Sequence, residues 1–245
     1  MKEFARRQEV IREDRRTWQQ VAFVGGHTDD DAMFRLTNTL AQQNIGVTIL
    51  TLTNSDARNL PNYEPEQLAK ERWEEAIISG DIAGITEVRR IEIPDGKLSQ
   101  FPQQAREFVG NAIDEIEPIA LVTLHLGDPH TDHRETYSVG SSIAGRRLAH
   151  YTTDTITGLD LNGRVLHPDL YIPLTEEVEA IEQQTYIANS SQVENLPPEE
   201  KVDVDNVIYM TARRGKERKL PYAAVLYRAN NSSGTPLESI LPLAS

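Results

Sequence analysis

The stretch Val21-Ala22-Phe23-Val24-Gly25-Gly26-His27-Thr28-Asp29-Asp30-Asp31 decides the fold. Four consecutive apolar residues ended by two glycines mark a short strand buried on both faces. The apolar residues that follow, Met33, Leu36 and Leu40, recur at helical spacing and predict a helix from Asp30 to Gln43. A strand that runs through a polar turn into a helix is the opening unit of a parallel sheet.

Working outward, the alternation continues. Val47 to Leu52 is a second strand. A helix is expected from Pro65 to Ser79, ended by Gly80. Val88 to Ile93 is a third strand, stopped by Pro94-Asp95-Gly96. Phe101, Ala105, Phe108, Val109, Ala112, Ile113 and Ile116 then share one helical face, and Pro118 stops that helix. Ile119 to Leu126 is a fourth strand, and a helix follows from about Arg134 to Leu148. The strands are nearly continuously apolar, as they must be when both faces of the sheet are covered. The expected class is α/β: a Rossmann-like, mostly parallel sheet with helices on both faces.

After residue 150 the rhythm changes. Thr153 to Leu159 and Arg164 to Tyr171 flank Asp160-Leu161-Asn162-Gly163, whose Asn-Gly pair predicts a hairpin. Helices are expected over Thr175 to Ala188 and Val207 to Lys216, and a last strand over Tyr222 to Tyr227. We read residues 1–245 as a single domain: a polar, helical lead-in (1–20), an α/β core (21–150) and a C-terminal α+β extension (151–245).

Composition narrows the function. The 245 residues include no cysteine, which excludes disulfides, cysteine-bound zinc, iron–sulfur clusters and a thiol nucleophile. With 25 Lys and Arg against 38 Asp and Glu, the net charge of −13 argues against a nucleic-acid partner. Residues 1–20 lack the apolar core of about 7–15 residues that a signal peptide needs. Ile119 to Leu126 falls far short of the roughly 20 residues that span a bilayer. A cytoplasmic protein with no membrane partner is expected.

Open parallel sheets bind ligands at the carboxyl ends of their strands. Two polar clusters fall there: Gly25 to Asp31 after the first strand, and Asp128-Pro129-His130-Thr131-Asp132-His133 after the fourth. They hold three of the six histidines. Catalytic zinc takes three His or carboxylate ligands and keeps one position for water. His27 and Asp30, three apart at a turn, can face one point, and His133 can reach it from the neighbouring loop. Zinc would lower the pKa of its water to roughly 7. Asp29 could accept the water's proton, and His130 could hydrogen-bond or protonate the reacting group. Asp132 could orient a histidine from behind. Each piece has a plainer reading, since Asp-rich turns also cap helices and lone histidines are mostly packed or at the surface. The two clusters at adjacent strand ends favour the metal.

These residues resemble the PIG-L/LmbE-type N-acetylglucosamine deacetylases, zinc-dependent hydrolases of N-acyl amino sugars. The family motif Ala-His-Pro-Asp-Asp-Glu is matched by Gly26-His27-Thr28-Asp29-Asp30-Asp31, and His-Pro-Asp-His by His130-Thr131-Asp132-His133. Weaker similarities lie at Arg72-Trp73-Glu74-Glu75-Ala76, Pro94-Asp95-Gly96, Ala188-Asn189-Ser190-Ser191-Gln192 and Tyr222-Ala223-Ala224, so the likeness runs from about residue 20 to 227. The resemblance implies that His27, Asp30 and His133 hold the metal and that Asp29 is the general base. It implies that His130 is the acid or oxyanion stabiliser, supported by Asp132, and that Arg72 and Asp95 are substrate contacts. Threonine replaces both motif prolines, which removes rigidity but no ligand.

The activity expected is hydrolysis of an acyl group, acetyl by resemblance, from the amine of an N-acyl amino sugar or related small conjugate. Metal-bound water would attack the amide with Asp29 as base. The alternative is a non-catalytic sugar-binding or regulatory member of the same fold. Two histidines and one carboxylate also suit iron(II), so the metal is zinc or another divalent ion. Homo-oligomerisation is left open.

Overall fold

In a computed structural model of the chain, the residues described are 17–30, 36–56, 64–145, 148–154, 158–189, 191, 204–229, 237–241 and 243–244. Most of the expected lead-in helix and the start of the helix expected from Asp30 lie outside them. Seven strands form one sheet: β1 (Gln19–Gly25), β2 (Ile45–Thr51), β3 (Glu87–Arg90), β4 (Ala120–Thr123), β5 (Ala149–Thr152), β6 (Leu170–Leu174) and β7 (Tyr222–Arg228). Their order is β3-β2-β1-β4-β5-β7-β6. The first five run parallel, and β7 is antiparallel to both β5 and β6. The expected mostly parallel α/β sheet is therefore what the chain forms.

The helices are α1 (Thr37–Gln42), α2 (Pro65–Ala83), α3 (Pro102–Ile116), α4 (Thr131–Ala144), α5 (Glu176–Ala188) and α6 (Val204–Lys216). Pro65 and Pro102 start their helices where the missing N–H costs nothing. Thr175 caps α5 by accepting a hydrogen bond from the Val178 N–H at 3.2 Å. Side chains alternate along β1. Val21 and Phe23 pack in one core with Val47, Ile49 and Val122 of the sheet and with Leu40 of α1 and Val178 of α5. Ala22 and Val24 pack in the other with Leu50, Leu121, Ala105 and Val109 of α3 and Val139 of α4. Both faces are thus covered, and burying each large aliphatic side chain contributes about 1.5–3 kcal/mol.

The C-terminal part departs from expectation in two places. The hairpin is shorter than expected: residues 158–166 fold back antiparallel through the bridge Leu159–Val165, and β6 begins later and pairs with β7. Residues 155–157 lie outside the described residues. β5 was not expected, because Ala149-His150-Tyr151-Thr152 has no apolar run, yet all four residues are buried. His150 accordingly packs in the core rather than near the strand ends. Its Nε2 lies 2.9 Å from Thr123 Oγ1, and burial pushes its pKa down to about 4.

Arg214 lies in a basic run near the end of α6, yet it is only 2% exposed. Its guanidinium forks onto Asp154 at 2.6 and 3.0 Å and donates to Tyr227 Oη at 2.9 Å. This pair fastens the segment after β5 to α6 and β7. Two weak similarities also meet in space, for Ser191 donates its N–H to Glu75 at 2.7 Å and its hydroxyl at 2.6 Å. No helix among the described residues is long and apolar enough to cross a membrane.

Arg214→Met removes the guanidinium that compensates the buried Asp154 charge and should lower the unfolding free energy by about 3–5 kcal/mol in urea titrations. His150 stays neutral in the fold while the unfolded chain takes up a proton below about pH 6.5. Its contribution is therefore present above that pH and lost as the pH falls towards 4, by up to about 3 kcal/mol. His150→Gln should flatten that acid limb of the stability curve.

Candidate metal centre

β1 and β4 are adjacent, but the connection from β1 leads to β2 on one side while β4 leads to β5 on the other. The gap between β1 and β4 is thus the point where strand order reverses, and ligands bind at such points. The register aligns Gly25 with Thr51 and Val24 with Thr123, so the loops after β1, β2 and β4 leave the sheet at one edge.

The first loop is fixed by its own carboxylate. Asp30 Oδ2 accepts hydrogen bonds from the Gly26 N–H at 2.6 Å and the His27 N–H at 2.9 Å. Gly26 is needed for close approach, since a Cβ there would lie 3.2 Å from His133 Cδ2 and 3.5 Å from Asp132 Cβ. The loop after β2 braces it. Thr53 Oγ1 donates to the Gly26 carbonyl at 2.7 Å, and the Thr28 N–H donates to Ser55 Oγ at 3.0 Å. A proline at position 28 would have no N–H to give, so here hydrogen bonding supplies the rigidity that a ring would. Thr131 opens α4, a position that suits proline but does not require it. Arg72 donates through Nη1 to the Ser55 carbonyl, which ties α2 to the same loop.

Three donor atoms converge inside this frame. His133 Nε2 lies 3.0 Å from Asp30 Oδ1 and 3.1 Å from His27 Nδ1, and His27 Nδ1 lies 3.6 Å from Asp30 Oδ1. Tetrahedral zinc with bonds of about 2.0–2.1 Å separates its ligand atoms by roughly 3.3 Å, so the triangle has the size of a metal site. The donor set fits as well. Two ring nitrogens facing each other can satisfy only one proton between them, whereas a cation takes both lone pairs. His130, exposed at the start of α4, brings a third ring into the group, with its centroid 4.7 Å from that of His27 and 4.8 Å from that of His133.

The far side of His27 is held by carboxylates. Its Nε2 lies 3.0 Å from Asp95 Oδ1 and 3.6 Å from Asp132 Oδ2. Asp132, fully buried, also accepts from the Gly96 N–H at 2.7 Å and the Leu98 N–H at 3.3 Å. Gly96 serves this arrangement with a φ of 74°, in a turn closed by the Lys97 N–H to the Pro94 carbonyl at 3.1 Å. The other ring nitrogen of His133, Nδ1, lies 3.0 Å from Asp128 Oδ1.

The pocket's field favours positive charge. Burial alone would lower the pKa of His27, but Asp132, Asp30 and Asp95 more than offset it and hold it well above the ordinary value. Burial also opposes protonation of His133, and Asp30 and Asp128 override it, pushing the pKa up to about 10. Burial would raise the pKa of Asp30, yet the two histidines hold it far below the usual carboxylate range. His130 differs. Burial and the neighbouring His27 and His133 lower its pKa, so it is the ring most readily neutral.

The structure therefore brings His27, Asp30, His133, His130, Asp132 and Asp95 together. Asp29 is half-buried in the turn between His27 and Asp30. Asp95, read from the sequence as a substrate contact, lies against His27. Arg72, read the same way, is 3% exposed beneath the loop. Asp128 has no role legible in the sequence, because nothing in its spacing shows that it reaches the ring five residues on.

The profile described as GlcNAc-PI de-N-acetylase, PIG-L, matches residues 22–144, half of the chain. A search of curated proteins gave no match. Among solved structures, the zinc-inhibited form of teicoplanin deacetylase superposes with a TM-score of 0.69 at 15% identity, covering 87% of this chain and 100% of the other. The N,N'-diacetylchitobiose deacetylase of Pyrococcus horikoshii gives 0.70 at 14% identity, covering 89% and 88%. The 4-carboxy-2-hydroxymuconate hydratase of Pseudomonas putida gives 0.67 at 14% identity, covering 89% and 99%. At these identities the superpositions establish the fold, which a hydratase shares.

The brace beneath the first loop can be tested directly. Arg72→Met leaves the buried Ser55 carbonyl short of a donor and should lower the unfolding free energy of the metal-free protein by about 1–3 kcal/mol. An unchanged urea midpoint would mean that Arg72 does not hold the loop.

Proposed function

The chain belongs to the GlcNAc-PI de-N-acetylase (PIG-L) family of deacetylases, and from that premise we propose that it is a zinc-dependent hydrolase of N-acyl amino sugars or related small conjugates. The observation that carries this reading is the triangle of Asp30 Oδ1, His27 Nδ1 and His133 Nε2, at metal-ligand spacing and at the strand-order switch point. Acetyl is the acyl group favoured, in keeping with the family description and with the two deacetylases of the same fold.

Zinc held by His27, Asp30 and His133 would supply Lewis acidity towards an amide carbonyl and would make water ionisable near neutral pH. The chain's own residues divide the remaining work. Asp29 sits between two ligands in sequence and takes the proton of the attacking water on its carboxylate. As the water oxygen bonds to the carbonyl carbon, His130 donates a hydrogen bond to the developing oxyanion; as the C–N bond breaks, the departing nitrogen takes a proton, from His130 or from Asp29, which received it from the water. Asp132 acts on His130 through its charge, and with Asp95 it holds His27 in place. The products are a carboxylic acid and a free amine. A hydratase on the same fold shows that architecture alone does not choose the reaction. Here the choice rests on the family and on the complete set of base, acid and three ligands.

The test is amine release from a panel of N-acetyl amino sugars by zinc-loaded protein. Asp29→Ala should keep its zinc and lose turnover by about 10²–10⁴-fold. His133→Ala should lose both. Full amide hydrolysis by rigorously metal-free protein would contradict the mechanism.

A further inference from the structure

Asp128 has no part in the reading above, yet it is one of the most constrained residues at the site. It is 6% exposed. Its N–H donates to the His125 carbonyl at 3.0 Å, and its own carbonyl accepts from Arg134 Nη1 at 2.9 Å. The same guanidinium nitrogen reaches the Pro129 carbonyl at 2.7 Å. Pro129 restricts the Asp128 backbone to extended conformations. Every backbone polar group of Asp128 is thus used, and its side chain is aimed by the loop rather than left to solvent.

That side chain faces two histidines with one oxygen. Asp128 Oδ1 accepts the His130 N–H at 2.8 Å and lies 3.0 Å from His133 Nδ1. The contact to His133 is made at ion-pair distance. Nδ1 is sealed from water and makes no hydrogen bond to any other described residue. A proton there has Asp128 as its acceptor. Across the same ring, Nε2 faces Asp30 Oδ1 and His27 Nδ1.

We propose that Asp128 is a positioning residue for the metal centre: it holds the His133 ring so that Nδ1 carries the proton and Nε2 presents its lone pair to the metal, and through the His130 N–H it sets the start of α4 against that ring. A histidine ligand that gives its second N–H to a carboxylate is fixed in tautomer and orientation and becomes a more basic donor. The assignment rests on the metal-centre reading and deepens it. Asp128 touches neither substrate nor metal and acts through His133.

The substitution Asp128→Asn separates charge from shape, because the amide oxygen can still accept the His130 N–H. Zinc affinity is read by competition with a chromophoric chelator, alongside the melting curve of the metal-free protein. Asp128→Asn should weaken zinc binding by about 10–100-fold, with a metal-free melting curve close to that of the original protein. Asp128→Glu, which restores the charge, should recover part of the loss. In the zinc-loaded protein the Nδ1–H proton resonance of His133 should move upfield in the Asn variant. Equal zinc affinity for Asp128→Asn and the original protein would overturn the inference while leaving the metal centre intact. A lower melting temperature with affinity changed only in proportion to the folded fraction would also overturn it, in favour of a structural role. Failure of the original protein to bind zinc would remove the metal reading and this inference together.

Discussion

The Asp30 carboxylate joins the backbone to the proposed metal centre, and the rest of that centre depends on the junction. One oxygen closes the turn after β1 through two backbone N–H groups, and the other completes the donor triangle with His27 and His133. A carboxylate so engaged is hard to protonate and has little freedom to move. The turn cannot relax without dispersing the donor triangle, and the triangle cannot be rearranged without opening the turn. The contacts of Thr28 and Thr53 with the loop after β2 stiffen the same turn from behind.

The sheet provides the site's other half. Parallel pairing of β1 with β4 brings the start of α4 beside the first loop, and the small volume of Gly26 allows His133 and Asp132 to close on it. Asp132 then ties the turn at Gly96 into the group, so three loops share one polar network. The net charge of −13 has a local meaning here. Asp30, Asp95, Asp128 and Asp132 surround two histidines, and such a cluster is stable when a cation or protons compensate it.

Much of this was legible in the sequence, for local reasons. His27 and Asp30 lie within one turn, and His130 to His133 within one helical turn, so spacing alone could place them. The apolar runs of β1, β2 and β4 and the single apolar face of α3 announced the parallel sheet. What was not legible depends on contacts between distant segments. β5 carries histidine and threonines where an apolar run was sought, and it is a strand because β4 and β7 flank it. Arg214 and Asp154 lie sixty residues apart in sequence and meet only in the folded chain. Replacing proline by threonine at position 28 suggested lost rigidity, and the N–H bond to Ser55 could not be foreseen. Asp128 belongs to the same class, since only the fold turns its side chain back onto His133.

The most direct test of the account is anomalous diffraction at the zinc edge from crystals of the zinc-loaded protein. One peak per chain is expected, about 2.0–2.2 Å from His27 Nδ1, Asp30 Oδ1 and His133 Nε2. A peak held instead by His27 Nε2, Asp95 and Asp132, or no ordered peak at stoichiometric zinc, would contradict it.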